Sequence, residues 1–190
     1  MSEEFEVRGV HEDHVDAAAE HEPHGMAGRL AVVTAILATL GAMFSYMAGA
    51  TQAEAGLLKN DAAIKKTEAA NQWNYYQAKG NKQNLSELGM ELSSDPRKPF
   101  FAAEVKRYEA EKISIKLAAD KLEKASAEFD EKSEVQMHQH HRWAQATMLL
   151  QIGIAMAAIA LLTRKQWLGK LVLAMGSLGV IVGALAFFGI

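Results

Sequence analysis

Three stretches of this sequence contain no charged side chain, namely Leu30–Gln52, Trp143–Thr163 and Leu171–Ile190. Each is at least 20 residues long, and a helix needs about 20 apolar residues to cross the hydrocarbon core of a bilayer. We therefore expect an integral membrane protein with three transmembrane helices. The mean hydropathy of -0.07 conceals this pattern, because the apolar stretches are averaged with a highly charged middle segment.

The residues between the first two apolar stretches, 53–142, have the composition of a long helical hairpin. They are rich in Ala, Glu, Lys, Gln and Leu, which favour helices. The strong turn signal lies near residues 93–99, where Pro96 and Pro99 cannot both lie inside a helix. The predicted fold class is therefore an all-α membrane protein with three transmembrane helices and a long extramembrane antiparallel hairpin, coiled-coil-like, between the first and the second.

This prediction divides the chain into consecutive segments that differ in charge and hydropathy. They are an acidic, His-rich tail (1–29), transmembrane helix 1 (30–52), the extramembrane hairpin (53–142), transmembrane helix 2 (143–163), a short basic loop (164–170) and transmembrane helix 3 (171–190). We expect the tail to be disordered, because its eight acidic residues and few apolar side chains cannot offset the entropy lost on ordering.

Both arms of the predicted hairpin carry a heptad-like repeat. On the returning arm, the a and d positions are Val105, Tyr108, Ile115, Ala119, Leu122 and Phe129, interrupted by Lys112 and Ser126. On the outgoing arm, they are Leu57, Asn60, Ile64, Thr67, Asn71, Asn74, Ala78, Asn81, Leu85 and Leu88. Two interpretations of the Asn-rich arm stay open. It faces water in a loosely packed hairpin, or its amides meet between protomers or line a water-filled core.

The short loop 164–170 indicates the orientation in the membrane. It carries Arg164, Lys165 and Lys170 and no acidic residue, and short basic loops stay on the cytoplasmic side. We expect the tail to be cytoplasmic as well and the hairpin to lie on the opposite face. Trp143 and Trp167 flank the second span, where interfacial anchors lie. With Arg164 and Lys165, they form the predicted membrane-interface anchors.

The sequence lacks the residues and motifs that several classes of protein need. The apolar stretches contain no ionisable side chain, whereas proton relays and ion-coupled transport sites need one. The sequence has no cysteine, no Gly-rich phosphate loop and no H-E-x-x-H or G-x-S-x-G motif. The near-neutral middle segment has no basic face for nucleic acid. We therefore expect neither an enzyme nor a cofactor nor a nucleic-acid partner.

Four histidines in the tail form the main candidate metal site. His11 and His14, and then His21 and His24, make two H-x-x-H pairs interleaved with carboxylates. Residues three apart share one face of a helix, so each pair could bind a divalent ion through imidazole nitrogens. The alternative is a solvated acidic tail that binds no metal in the cell.

Aromatic residues concentrate in the segment Asn71–Lys79, which reads NQWNYYQAK. The predicted roles are packing of Trp73 and Tyr76 across the hairpin, or an exposed patch for a protein or glycan partner. This motif, after a Gly/Ala-rich first span and before two closing spans, resembles an uncharacterised family of bacterial membrane proteins known as a domain of unknown function. The resemblance implies a bacterial inner-membrane location and the same three-span plan, but no activity. The candidate partner or lumen residues are Asn71, Trp73, Asn74, Tyr75 and Tyr76.

These features lead to three functional hypotheses. The first is a non-enzymatic inner-membrane scaffold or assembly protein that presents the hairpin, as a homo-oligomer and with a possible protein partner. The second is a homo-oligomeric pore or conduit lined by the Asn-rich arm or by the first span, since a polar but uncharged lining is compatible with weakly selective conduction. The third is a metal-sensing membrane protein that acts through the His-rich tail.

Overall fold

The computed structural model describes residues 25–189, and in this range the chain is helical with no β-strand. Helix α1 is Met26–Leu92, a short 3-10 helix follows at Asp95–Arg97, α2 is Lys98–Thr163 and α3 is Gln166–Phe187. The prediction of an all-α protein with three long helices is confirmed. At 67 residues, α1 is far longer than the roughly 20 residues that one membrane span requires.

The break between α1 and α2 has a local cause in the prolines. Pro96 lies in the first turn of the 3-10 helix, and Pro99 is the second residue of α2, where the missing amide proton breaks no helical hydrogen bond. Ser94 is extended, with φ -62° and ψ 153°. The amide of Arg97 donates to the Ser94 carbonyl oxygen at 3.0 Å. The chain therefore reverses within the segment that its prolines mark as a turn.

The contacts divide the chain into two compact units. The hairpin unit is Ala53–Gln136, and the three-helix unit consists of residues 25–52 and 137–189. Each of α1, α2 and α3 contains a stretch long and apolar enough to cross a membrane, judged by length and composition. The charged residues of α1 and α2 fall largely in the hairpin unit.

The three-helix unit is held together by large side chains seated on the glycines of α3. A Cβ added to Gly176 would lie 2.8 Å from Leu37, and one added to Gly179 would lie 2.7 Å from Leu150. Leu150 is fully buried. Small residues permit this close approach of helices in an apolar environment. The small-residue pattern of the third span therefore packs within one protomer.

In the hairpin unit, α1 and α2 run antiparallel and meet along small side chains. Ala55, Ala62 and Ala69 of α1 are buried at intervals of seven residues. Ser126 Oγ donates to the Ala62 carbonyl oxygen at 2.8 Å, and Ser133 Oγ donates to the Ala55 carbonyl oxygen at 2.9 Å. These bonds require α2 to lie close to the α1 backbone, which the alanine side chains allow.

The predicted contact face of α2 is confirmed by burial, but the predicted face of α1 is wrong. Tyr108, Ile115 and Ala119 are buried and Val105, Leu122 and Phe129 are partly buried, as expected. Ser126, which interrupts the apolar pattern, is itself part of the contact. On α1, all ten residues of the predicted a/d positions are exposed. The reason is that α1 contacts α2 through small alanine side chains. The larger Leu and Ile side chains would hold the two helices apart.

Candidate functional site

Part of the aromatic segment of α1 faces α2. Trp73 Nε1 donates to Glu123 Oε1 at 3.1 Å, and the Trp73 and Tyr76 rings meet edge to face with centroids 5.7 Å apart. The Lys112 ammonium lies 5.0 Å from the centroid of the Tyr76 ring and donates to Gln83 Oε1 at 3.2 Å. A cation above a tyrosine face is attracted by the ring quadrupole. Trp73 and Tyr76 therefore join the two helices of the hairpin.

A second group of charged and aromatic residues lies one turn further along α1. The Lys79 ammonium is 2.6 Å from Glu111 Oε2 and lies over the rings of Tyr75 and Tyr108, at 5.0 Å and 5.5 Å from their centroids. The hydrogen bond with Glu111 raises the pKa of Lys79, and the same bond lowers the pKa of Glu111. Arg107 donates to the Tyr108 hydroxyl oxygen at 3.0 Å. Lys79 of α1 is thereby linked to Glu111 and Tyr108 of α2.

The remaining residues of the segment point away from α2. Asn71 and Asn74 are exposed, and Tyr75 is 50% exposed at the edge between the two faces. The five candidate partner or lumen residues therefore do not form one site. Trp73 and Tyr76 belong to the internal contact, whereas Asn71, Asn74 and part of Tyr75 are available to a partner.

The exposed asparagines belong to a longer row on α1 that we call the outer stripe. Four of its large apolar side chains are at least 46% exposed. The stripe consists of the ten positions Leu57, Asn60, Ile64, Thr67, Asn71, Asn74, Ala78, Asn81, Leu85 and Leu88. Its position on the helix follows from its spacing to the buried alanines. Asn60 and Ile64 each lie two residues from Ala62, which is about 200° of rotation around a helix.

The four tail histidines, His11, His14, His21 and His24, lie outside the described residues. Within residues 25–189, no group of three or more His, Cys, Asp or Glu side chains could hold a metal ion. A histidine just before the second apolar stretch, Trp143–Thr163, has a structural partner. His140 Nδ1 lies 2.9 Å from the Ala48 carbonyl oxygen, and Thr51 Oγ1 donates to the same oxygen at 3.1 Å. His140 therefore joins α2 to α1 as a donor through its protonated Nδ1.

The predicted interface anchors fall in different environments. Trp143 is only 4% exposed and packs against Phe44, with ring centroids 5.3 Å apart. Trp167 is 56% exposed. Arg164 and Lys165 are exposed at the turn between α2 and α3, where Arg164 has a φ of 52°. Three of the four side chains are therefore placed at the surface of the three-helix unit, and Trp143 is part of its core.

The three-helix unit also has an apolar groove of about 400 Å³ between α1 and α3. Its lining is aliphatic apart from Ser177 and includes Val33, Leu40, Val172 and Val180. The groove is therefore apolar, and none of its lining residues is charged.

The fold and the surfaces described above define an all-helical protein with a buried alanine contact, an exposed Asn-rich stripe and three helices apolar enough to cross a membrane. The chain belongs to the family described as a domain of unknown function, DUF4337, which residues 26–189 match. No curated protein and no solved structure matches this chain. The expected family of unknown function is thus confirmed, while the bacterial origin and the NQWNYYQAK motif of that family stay predictions.

Proposed function

We propose that this protein is a non-enzymatic scaffold or assembly protein of the bacterial inner membrane that presents the hairpin unit as a homo-oligomer. The three-helix unit is the membrane anchor in this proposal. The support is its composition, since α1, α2 and α3 each supply a stretch long and apolar enough to cross a bilayer. The knobs of Leu37 and Leu150 over the glycines of α3 are the packing that lipid-embedded helices use.

The observation that most supports the proposed homo-oligomer is the position of Gln151. This residue lies near the middle of the apolar stretch Trp143–Thr163, yet its side chain is exposed on the surface of the three-helix unit. Among the residues that the structure describes, its amide has no hydrogen-bond partner. An unsatisfied amide is costly in hydrocarbon, and glutamine side chains pair across transmembrane helices. A second copy supplies an identical amide to the first.

The orientation in this proposal is supported by the basic loop at residues 164–170. Arg164, Lys165 and Lys170 favour a cytoplasmic loop by the positive-inside rule. The tail is then cytoplasmic, and the hairpin unit lies on the opposite side of the membrane. With fifteen acidic and fifteen basic residues, the segment 53–142 is suited to protein contacts rather than to capture of a polyanion.

The membrane assignment is tested in cells with single-cysteine variants, since the chain has no cysteine of its own. The protein stays in the pellet after alkaline carbonate washing of membranes. Ser93→Cys reacts with a membrane-impermeant maleimide in intact spheroplasts, whereas Ser2→Cys reacts only after lysis. Extraction by carbonate contradicts the membrane anchor. Labelling of Ser93→Cys only after lysis contradicts the orientation alone.

A second function, a homo-oligomeric pore or conduit, is favoured by the uncharged polar side chains of the outer stripe. Four asparagines on one exposed face could line a water path in an oligomer. If Asn71 and Asn74 line such a path, the Asn71→Leu/Asn74→Leu variant loses flux of small solutes into liposomes while its oligomeric state is unchanged. In the scaffold proposal, the same variant alters no permeability.

A further inference from the structure

The outer stripe of α1 has the pattern of a second coiled-coil face. Its ten positions recur at alternating intervals of three and four residues from Leu57 to Leu88. This repeat is longer than four heptads, and a heptad repeat sustained over three to four heptads argues for a coiled coil. The hairpin unit buries the opposite side of α1 against α2, through Ala55, Ala62 and Ala69. The stripe therefore follows a helix-pairing repeat but has no partner among the described residues.

The ends of the outer stripe are apolar and its middle is polar. Leu57 and Ile64 stand at one end, and Leu85 and Leu88 stand at the other, with exposed fractions from 46% to 68%. The asparagines lie chiefly between them. Apolar a/d residues provide the free energy of helix association, and a buried Asn at such a position selects a partner that offers an amide at the same level.

That requirement points to a second copy of this chain, paired parallel and in register. An Asn amide both donates and accepts a hydrogen bond. In a parallel, in-register pair, each of Asn60, Asn71, Asn74 and Asn81 meets the same residue of the other copy, so all four levels are matched at once. Two copies anchored in one membrane with one orientation, as in the proposed function, also present their α1 helices in parallel.

The charges of the residues beside the outer stripe are compatible with this parallel pairing. In a parallel pair, each g position faces an e position of the other helix. The g positions are uncharged, being Gly56, Ala63, Ala70, Gln77 and Asn84. The charged e positions, Asp61, Glu68 and Lys82, therefore meet no like charge.

We propose that the outer stripe is the self-association surface of this protein, on which two copies of α1 pair in parallel and in register. This inference rests on the proposed homo-oligomer and assigns the surface that forms it in the hairpin unit. The Asn amides meet each other across the pair and do not line a lumen.

Single-cysteine cross-linking of the full chain in native membranes tests the surface and the register. Asn71→Cys, Asn74→Cys and Ala78→Cys lie on the outer stripe, and Lys66→Cys is the matched control because it is exposed on the same helix but off the stripe. We expect oxidation to give a disulfide-linked species of twice the 20.7 kDa monomer mass for the stripe variants, at least several-fold more than for Lys66→Cys. Equal cross-linking at Lys66 overturns the surface assignment.

Co-expression of two variants tests the direction of the pair. The two copies carry different affinity tags, one with Leu57→Cys and the other with Leu88→Cys. In a parallel pair these two cysteines form no mixed disulfide. A mixed disulfide between them means an antiparallel pair and overturns the inference. Disulfides from the stripe to Ile113→Cys or Leu117→Cys, both exposed on α2, mean that the stripe binds α2 of another copy and overturn it as well.

Charge substitution supplies a readout that does not depend on cysteine chemistry. Ile64→Lys, on the stripe, is expected to lower cross-linking at Asn74→Cys by several-fold, while the control Ile113→Lys on α2 leaves it unchanged. Both positions are exposed, at 46% and 72%, so helix content by circular dichroism stays the same. If the protein is oligomeric by mass but no stripe cysteine cross-links, this inference fails and the proposed function stands. A monomeric protein contradicts both this inference and the proposed homo-oligomer.

Discussion

Phe44 of α1 occupies the space that Gly183 of α3 leaves by having no side chain. A Cβ added to Gly183 would overlap the Phe44 ring, which is itself only 5% exposed and packs on Trp143. The atoms in the way belong to one aromatic side chain rather than to the backbone. The contact is therefore specific to this pair of residues.

Gly183→Ala is expected to destabilise the three-helix unit by about 1–3 kcal/mol, because an added methyl group in a packed core forces its neighbours to shift. Thermal unfolding in a mild detergent measures the loss. Gly49→Ala is the control, since nothing lies within 4 Å of a Cβ at Gly49. The addition of Phe44→Leu to Gly183→Ala relieves part of the overlap, so the two substitutions are less than additive. Equal melting temperatures for Gly183→Ala and Gly49→Ala contradict this packing.

The alanine contact of the hairpin unit gives a second matched pair of variants. Ala62→Leu is expected to push α2 away from α1, to break the bond from Ser126 Oγ, and to destabilise the hairpin by about 1–3 kcal/mol. Ala63→Leu, one residue away and exposed, changes stability by less than about 0.5 kcal/mol. Denaturant unfolding followed by circular dichroism compares the two. A larger loss for Ala63→Leu indicates that the helices meet on another face.

The ion pair of Lys79 with Glu111 predicts a dependence of hairpin stability on pH. The pKa of Glu111 is lowered from its ordinary value of 4.5, so its contribution is full above that pH and is lost as the pH falls through the lowered value. The pKa of Lys79 is raised from 10.5, so its contribution is full below that pH and is lost at more alkaline pH. The pair therefore stabilises the hairpin across the neutral range.

The measurement is the difference in unfolding free energy between the natural chain and Glu111→Gln at pH 7 and at pH 3. We expect the natural chain to be more stable at pH 7 and the difference to shrink at pH 3. Glu109→Gln, an exposed neighbour on the same helix, is the control and shows a smaller change between the two pH values. A difference that is constant with pH would exclude a role for the carboxylate charge.

Gln151 predicts an effect on assembly rather than on folding. Gln151→Leu is expected to weaken the homo-oligomer in detergent by about 3- to 10-fold in the dissociation constant, the equivalent of roughly one interhelical hydrogen bond. Met148→Leu, also exposed on α2, is the control. Dilution series by fluorescence energy transfer between labelled copies report the constant. Tighter association of Gln151→Leu would show that the amide faces lipid alone.

Much of the fold could be predicted because single residues dominate the local energetics. Pro96 and Pro99 exclude a continuous helix, and three uncharged stretches of at least 20 residues predict three helices apolar enough to cross a membrane. The contact face of α2 was also predictable, since Tyr108 and Ile115 are large and apolar. In each case, the residue types present have a strong local preference that packing does not reverse.

The contact face of α1 could not be predicted in the same way. Leu57 and Ile64 are more apolar than Ala55 and Ala62, so a hydrophobic repeat selects the wrong side of the helix. The alanines are buried because their small size lets Ser126 and Ser133 reach backbone carbonyl oxygens, and this gain appears only when two helices are placed together. The seven-residue interval shared by alanines and serines is the signal in the sequence that could have identified the contact.

Native mass spectrometry of the full chain tests most directly whether the protein is a homo-oligomer, as proposed for a membrane scaffold. The protein is extracted from membranes in a mild detergent, without cross-linker, and released from the micelle in the instrument. We expect a species whose mass is an integral multiple, two or more, of the 20.7 kDa chain. A single species of 20.7 kDa across the accessible concentration range contradicts it.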